Sequence, residues 1–469
     1  MNKYKATIGI EVHTELNTAS KMFSSSPASS YDEPNTNINE IDLGMPGTLP
    51  SPNKNAVIKA LILACALQMQ VDTNLCFDRK NYFYQDLPKG FQITQQYQPI
   101  GKNGHLAISN KTVRIERIHL EEDTAKQQIV DNNSCLDYNR CGVPLIEIVS
   151  QPDMETASEA IEYLNELRRI LIFLNISDGK MEDGSFRADI NISVAEVNAK
   201  QNGTKVEIKN INSFANIGRA IEYEFNRQVS LLSNNKVVVQ ETRRWDEEKN
   251  QTIFMRLKSD AVDYRYFREP NIIEIDITDL LTYVKNQTNV LPTTIKQELM
   301  DQKIPLDLIN QLLDNYDAYK IFHKVNTAIA NPSLVIAWVL IELGALLKTN
   351  NTTYNTLSNT FLNNFIALLK LLITQEINGK QAKSILENMF HTNKSPEQLI
   401  KELNFVQIKD PDIIKTYLEK YIKENPIMLN QYQQRPERVE KFFIGLLMRD
   451  TKGQANPNAA ITILKKLLN

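Results

Sequence analysis

The chain has 469 residues, with 53 Lys and Arg against 56 Asp and Glu for a formal net charge of −3, and 42% hydrophobic and 23% charged residues. That composition is globular, and at about 100–200 residues per domain the length predicts two to four domains with room for a sizeable core. The 15 glycines and 18 prolines exclude collagen-like and low-complexity chains. The near-neutral balance excludes a whole-protein basic footprint, but not a local basic surface able to hold a polynucleotide.

Four cysteines, Cys65, Cys76, Cys135 and Cys141, form no C-x-x-C pair, which argues against a zinc site built from them alone and against a disulfide framework. The N-terminal MNKYKATIGIEVH lacks the apolar stretch of a secretory signal and the Arg/Ser-rich character of a transit peptide, so a cytoplasmic location is expected. The apolar runs Ala60–Met69 and Leu334–Leu347 fall short of the ~20 residues a membrane span needs, and the second contains Glu342. Both are expected to be core helices, with no membrane partner.

In chain order, alternation predicts a strand over Ala6–Leu16, and an apolar helix over Lys54–Met69 follows SPN. A second strand is expected over Val113–Asp123. Thr156-x-x-Glu159 is a capping box leading into the helix AIEYLNELRRILIFL, and further strands are expected over Arg187–Val194, Thr204–Ile211 and Val237–Arg243. From about Leu291 the sequence is helical, broken at NPS (331–333), at KTNNTT (348–353) and near Lys409–Pro411, and it runs to the helix-like Ile461–Asn469. No repeat of fixed period is present. The expected fold class is α+β: a mixed body over residues 1–288, an all-α helical domain over 289–405 and a small helical tail over 406–469.

Strand parity places Ile8, Ile10 and Val12 on one face of the first strand and Glu11, His13 and Glu15 on the other. A solvated polar face is the plainer explanation for one such strand, but the pattern recurs. RIERIHLEEDTAK puts His119, Glu121 and Asp123 on one parity and Glu122 on the other, and adjacent acids repel unless a cation or arginines compensate. Glu147 lies inside the apolar VPLIEIVS, where an unpaired charge is costly to bury, and Asp189 lies in SFRADINIS beside Arg187. Salt bridges to arginines such as Arg140 or Arg187 would explain these two structurally. Carboxylates with one histidine and no thiolates otherwise suit a hard cation such as Mg²⁺ or Mn²⁺.

Basic residues interleave with the acids: Arg79, Lys80, Arg187, Lys205, Lys209, Arg243, Arg244, Arg256, Lys258, Arg265 and Arg268, several beside aromatics in DRKNYFY, TRRW and DYRYF. Cations next to rings suit a nucleotide or an RNA end, by phosphate pairing and stacking, although surface charges beside core aromatics would look the same. The absence of G-x-x-x-x-G-K-[ST], G-x-G-x-x-G and G-x-S-x-G disfavours a P-loop ATPase, a dinucleotide fold and a serine hydrolase.

In order, IGIEVHTEL, SKMFSSSP, LGMPGTLP, FDRKNYFYQDLPKGFQITQ, HLEEDTAK, LDYNRCGVPLIEIVSQPD, KMEDGSFRADINIS, IKNINSF, QETRRWDE and DYRYFREP resemble one family, the B subunit of the bacterial tRNA-dependent aspartyl/glutamyl amidotransferase. The resemblance runs from Thr7 to Pro270 and returns in TKGQANP near the C-terminus. It implies an antiparallel-sheet cradle akin to the glutamine-synthetase catalytic fold, then a helical domain and a tail that touches tRNA. It also implies ATP- and Mg²⁺-dependent phosphorylation of the side-chain carboxylate of misacylated Glu-tRNA(Gln) or Asp-tRNA(Asn). Ammonia from a glutaminase A subunit then displaces phosphate, within a heterotrimer that includes a small C subunit.

By the same resemblance, Glu11, His13, Glu121, Glu122, Glu147 and Asp189 are expected Mg²⁺ ligands, and Lys80, Glu122 and Arg187 are expected at the reaction. Lys80, Lys209, Asn210, Arg243 and Arg265 are expected nucleotide or substrate contacts. Some members hold zinc through two cysteine pairs at the positions that here read Ser24/Ser26 and Asn39/Asp42. Without thiolates, ordinary packing is expected to hold that loop. Two rival functions remain open on the residues alone: a metal-dependent ATP ligase acting on a free small carboxylic acid, and a non-catalytic RNA-binding adaptor.

Overall fold

The computed structural model describes residues 3–29, 32–257, 263–287, 290–403, 405, 408, 410–433, 435–451, 454–455 and 457–468. Lys258, Lys409 and the Lys452, Gly453 and Asn456 of TKGQANP lie outside them. The chain divides into two units, Met1–Ile295 and Lys296–Asn469.

The first unit begins with β1 (Tyr4–Glu15), α1 (Lys54–Ala66), β2 (Asn74–Leu75), β3 (Asp78–Asn81), β4 (Phe91–Thr94), β5 (Gly101–Ile108) and β6 (Lys111–Glu122). The hairpin β7 (Lys126–Val130) and β8 (Asn133–Asp137) follows, then β9 (Pro144–Ser150), α2 (Ala157–Phe173), β10 (Phe186–Glu196), β11 (Val206–Lys209) and α3 (Phe214–Ser233). It closes with β12 (Glu241–Asp246), β13 (Gln251–Leu257), β14 (Phe267–Arg268), β15 (Ile275–Asp276) and α4 (Thr278–Lys285).

An eight-stranded sheet in the order β13-β12-β11-β10-β1-β9-β6-β5 dominates this unit. It is antiparallel except for the parallel β11–β12 pair. Its apolar face carries Ile8, Ile10 and Val12 of β1, Ile190 and Ile192 of β10, Ile146 and Ile148 of β9, and Ile118 and Leu120 of β6, all buried in one core with α1, α2 and α3. Burying each such side chain contributes about 1.5–3 kcal/mol, which fixes the register and forces the alternate residues onto the opposite, polar face.

That register sets Glu147 opposite both His119 and His13, and His13 opposite Arg187, so four strands present one lateral row. Glu11 lies opposite Asp189. The three-stranded sheet β14-β3-β4 meets the end of β6, where Ile93 N donates to Glu122 Oε1 at 3.0 Å.

Several elements differ from the sequence expectation. The strand expected over Val237–Arg243 starts only at Glu241, where the ladder to β13 begins; before it Val238 is buried but Val237 and Val239 are 80% and 51% exposed. The helix expected to reach Met69 stops at Ala66, and the chain turns through Gln68 at φ +54°. Thr156 caps α2 by accepting from Glu159 N at 3.2 Å. The Glu159 carboxylate reaches Glu155 N, Asn110 and Lys111 instead of the cap's own N–H, because the neighbouring β5–β6 hairpin competes for it.

The loop between β1 and α1 is held by more than ordinary packing. Lys21 is 0% exposed, with Nζ 3.3 Å from Asp42 Oδ2 and donating to Tyr138 O at 3.2 Å. Ser24 Oγ donates to Asp42 Oδ1 at 2.6 Å, Ser26 N donates to Ser24 Oγ at 3.3 Å, and Asn39 Oδ1 accepts from Ile41 N and Asp42 N. A buried ion pair with satisfied hydrogen bonds therefore pins the loop, since each buried polar group needs a partner.

The second unit is helical. α5 (Pro292–Asp301) leads into it, followed by α6 (Leu306–Leu313), α7 (Tyr316–Ile329) and α8 (Pro332–Ala337), which widens to a π-helical stretch over Trp338–Leu343 before α9 (Gly344–Thr349). Then come α10 (Asn359–Ile373), α11 (Gly379–Thr392), α12 (Pro396–Glu402), α13 (Pro411–Glu424), α14 (Pro426–Leu429), α15 (Pro436–Asp450) and α16 (Pro457–Leu468). Ile414, Leu418, Tyr421, Val439, Phe443, Leu447 and Leu464 make a separate core from α13, α15 and α16. Among the described residues one helix, Pro332–Thr349, is long and apolar enough to cross a membrane. Its Glu342 pairs with Lys383 at 2.7 Å, and Val335, Ile336, Val339 and Leu343 are buried.

Candidate functional site

Among the described residues, the polar face of the sheet holds two groups of donors. In the first, His13, Glu121 and Glu147 each place one ligand atom within 4.8 Å of the others. Glu147 Oε2 is 3.2 Å from His13 Nε2 and 3.1 Å from His119 Nε2, and Glu121 lies 3.5 Å from His13. Burial disfavours the Glu147 carboxylate, but His119 and His13 hold it well below the usual carboxylate range. Burial likewise opposes charge on His119, yet Glu147 and Glu121 outweigh it and raise the imidazole to about 9. The acids and imidazoles thus neutralise one another by protonation. The same donors with deprotonated imidazoles make an oxygen-rich set with nitrogen added, which fits a divalent Mg²⁺ or Mn²⁺.

The second group is Glu11, Asp189 and Glu207, again with ligand atoms within 4.8 Å. It already has a resident cation: Lys209 Nζ bonds Asp189 and lies 3.4 Å from Glu207 Oε1. Asn191 Nδ2 donates to Glu11 Oε1 at 2.9 Å. Burial lowers the Lys209 ammonium, but Asp189 and Glu207 more than reverse this and hold it charged. A metal at this group has to displace or share with Lys209.

Lys80 faces the first group. Burial opposes its charge, but Glu121 and other nearby groups, Tyr266 and Glu147 among them, raise it above its ordinary value. At the other end of the row, Arg187 Nη2 donates to Asp123 Oδ2 at 2.8 Å, with Arg140 Nε 3.6 Å from the same oxygen. Glu15 sits beside them: burial and Asp123 push its carboxyl up to about 7, against the pull of Arg187 and Arg140.

A cavity of about 390 Å³ opens next to Glu11, lined by Gly9, Arg117, Pro152, Asn191 and Lys205 among others. Arg117 Nε and Asn191 Oδ1 are buried there with no hydrogen-bond partner. A concave pocket with convergent unsatisfied polar atoms is the usual form of a small-ligand site.

The structure brings together Glu11, His13, Glu121, Glu147, Asp189, Lys80, Arg187 and Lys209 on this face. It separates others. Glu122 turns away from Glu121 and bonds Lys89 Nζ through both carboxylate oxygens beneath the Phe23 and Phe91 rings. Arg243, opposite the buried Ile208, points into the unit and pairs with Glu241 at 2.7 Å and Glu224 at 3.7 Å. Asn210 and Arg265 are exposed with φ of +59° and +46°. Glu147 pairs with histidines and Asp189 with Lys209, instead of with the arginines a structural salt bridge would use. Sequence reasoning gave no role to His119, Glu207 or Lys89. For Glu207 the signal was present, since it shares strand parity with Lys209.

Residues 6–282 match the GatB/GatE catalytic domain and residues 320–468 match the GatB domain. The B subunit of the aspartyl/glutamyl-tRNA(Asn/Gln) amidotransferase of Ureaplasma urealyticum serovar 10 is 50% identical, over 100% of this chain and 100% of that protein. Proteins of the same name from Malacoplasma penetrans and Mycoplasma genitalium are 48% and 45% identical, each over 100% of this chain and 98% of the relative. With catalytic-domain similarity spanning every strand of the polar face and full-length relatives at this identity, the chain belongs to the GatB/GatE family of amidotransferase B subunits.

Proposed function

We propose that this protein is the synthetase subunit of a glutamine-hydrolysing tRNA amidotransferase, converting Glu-tRNA(Gln) or Asp-tRNA(Asn) to the amide. The observation that carries this reading is the convergence of His13, Glu121 and Glu147 from three strands beside Lys80, on the same face as Glu11 and Asp189. A carboxylate is a poor electrophile at neutral pH, and phosphorylation gives it a leaving group. Its oxygen attacks the γ-phosphorus of ATP, ADP departs, ammonia adds to the acyl carbon, and phosphate leaves. Negative charge gathers on the transferred phosphoryl oxygens, and cations positioned for that charge lower the barrier.

His13, Glu121 and Glu147, with Glu11 and Asp189 as donors of the second group, would hold Mg²⁺, which would neutralise phosphate charge there. Lys80, fully charged beside Glu121, is placed to bind a phosphoryl or acyl-phosphate oxygen. Arg187, fixed by Asp123, offers its guanidinium at the other end of the row, where it can orient the substrate carboxylate. The cavity beside Glu11, with Arg117 and Lys205, suits the nucleotide. No glutaminase nucleophile motif is visible in the sequence, so ammonia is supplied by a partner A subunit, with a small C subunit completing a heterotrimer. We further read the sheet as a cradle of the glutamine-synthetase kind, residues 289–405 as a helical domain and 406–469 as a tail contacting tRNA, in a cytoplasmic assembly.

The test is amidation of Glu-tRNA(Gln) by the chain with and without its A and C partners, following ATP-dependent phosphate release. Glutamine-driven amidation is expected only with the partners, and at best weak activity with free ammonia alone. Robust glutamine-dependent activity without partners, or ATP-dependent amidation of free glutamate in place of Glu-tRNA, contradicts the reading.

A further inference from the structure

The two sequence segments richest in cations beside rings, DRKNYFY and DYRYF, lie far apart in the chain and meet in space. Pairing of β14 with β3 sets Phe267 opposite Arg79, and Asn81 N donates to Tyr264 O at 2.9 Å. Four tyrosines then form a continuous edge-to-face series, with ring centroids 5.7 Å apart for Tyr84–Tyr82, 5.9 Å for Tyr82–Tyr264 and 5.8 Å for Tyr264–Tyr266. Lys80 Nζ lies 4.8 Å from the centre of the Tyr264 ring and 5.8 Å from that of Tyr82.

One end of this series touches the reaction face and the other faces solvent. Lys80, against the Tyr264 and Tyr82 rings, lies on β3 opposite Gln92 of β4, and from β4 Gln92 Nε2 donates to Glu122 O at 2.7 Å and Thr94 Oγ1 to Glu121 Oε2 at 3.4 Å. At the outer end Tyr84 is 58% and its neighbour Phe83 89% exposed, with Tyr97 and Phe267 also open. Exposed Arg265 and Arg268 flank the series, the first with its backbone N–H held by Asp263 and the second 3.4 Å from Asp78. Aromatic rings left open beside cations are costly to keep exposed and are the usual platform for unpaired nucleobases.

Chemistry identifies the occupant. A glutamyl carboxyl carbon is separated from the ester oxygen on its tRNA by five bonds of about 1.5 Å, so the terminal ribose lies within about 7 Å of the reacting carboxylate. Its base, and the unpaired nucleotides before it, must rest against whatever surface adjoins Lys80. We propose that the Tyr84–Tyr82–Tyr264–Tyr266 ladder is the stacking site for the unpaired 3′-terminal nucleotides of the aminoacyl-tRNA, holding the acyl group at Lys80; this rests on the reading of function above.

The test uses the assembled complex and Glu-tRNA(Gln) carrying 2-aminopurine in place of the terminal adenine. Binding is expected to quench the fluorescence. Tyr84→Leu and Tyr264→Leu are expected to reduce the quench and raise KM for Glu-tRNA about 10-fold, with KM for ATP unchanged in Tyr84→Leu. Tyr84→Phe and Tyr264→Phe, which keep the ring, are expected to retain both properties and serve as controls for folding. No quench with the wild-type complex, or an equal quench in both leucine variants, overturns the assignment. Amidation of unmodified Glu-tRNA by the wild-type complex is measured in parallel. If it proceeds while the quench is absent, only the ladder falls, and if it fails, the functional reading falls and takes the ladder with it.

Discussion

His119 Nε2 and Glu147 Oε2 lie 3.1 Å apart across the β6–β9 pair, and the same oxygen is 3.2 Å from His13 Nε2, so one carboxylate bridges imidazoles from both neighbouring strands. Glu147 is therefore the shared element of the candidate cation group. Glu147→Gln keeps the shape and removes the charge, and it is expected to lower kcat about 100-fold or more and to weaken Mn²⁺ binding, read by electron paramagnetic resonance titration. His119→Ala is expected to weaken Mn²⁺ about 10- to 100-fold. Wild-type turnover in Glu147→Gln would show that the group is purely structural.

The Glu15 carboxyl gives a signed pH effect. Burial and Asp123 raise it from an ordinary value of 4.5 to about 7. A carboxyl raised on folding contributes stability that is complete below pH 4.5 and lost as pH rises through 7, because the buried group must then ionise. Glu15→Gln removes that loss without changing shape. The variant is expected to be more stable than the parent at pH 8, by roughly 1–3 kcal/mol, and equal to it at pH 4.5. Urea unfolding at the two pH values decides the matter, and equal differences at both would rule out the titration.

The face of each strand was legible from its own residues, because alternation is local: Ile8, Ile10 and Val12 do lie opposite Glu11, His13 and Glu15. Strand neighbours were not legible. β1 lies between β9 and β10, more than a hundred residues away, and only that register makes His13 a partner of Glu147. Glu122 shows the cost of reading adjacency as proximity. Consecutive residues in a strand point to opposite faces, so Glu122 meets Lys89 while Glu121 meets His13. Arg243 follows the same rule, since its parallel neighbour Ile208 belongs to the core.

The Lys89–Glu122 pair leads to a stability prediction. Both side chains are under 10% exposed, and Glu122 also accepts from Ile93 N at 3.0 Å. Removing one member leaves a buried charge without a partner, so Lys89→Met is expected to cost about 3–5 kcal/mol. The double variant Lys89→Met with Glu122→Gln is expected to recover part of that loss. Additive losses in urea unfolding would mean that the two residues do not act as a pair.

The pin of the β1–α1 loop makes the last prediction. Asp42 accepts from the buried Lys21 and Ser24 and from the backbone of half-buried Asn39, while Asn39 in turn accepts from the Asp42 N–H. The Lys21 ammonium, the Ser24 hydroxyl and the Asn39 amide all anchor on one carboxylate, so the loop's order depends on one ion pair and its hydrogen bonds. Asp42→Ala strands the Lys21 ammonium and is expected to cost about 3–5 kcal/mol, whereas Lys21→Met with Asp42→Asn is expected to cost less than the sum of its parts. A zinc-selective chelator is expected to leave the thermal midpoint of the parent unchanged. If the chelator lowers that midpoint while Asp42→Ala does not, the loop is held by a metal and not by the Lys21–Asp42 pair.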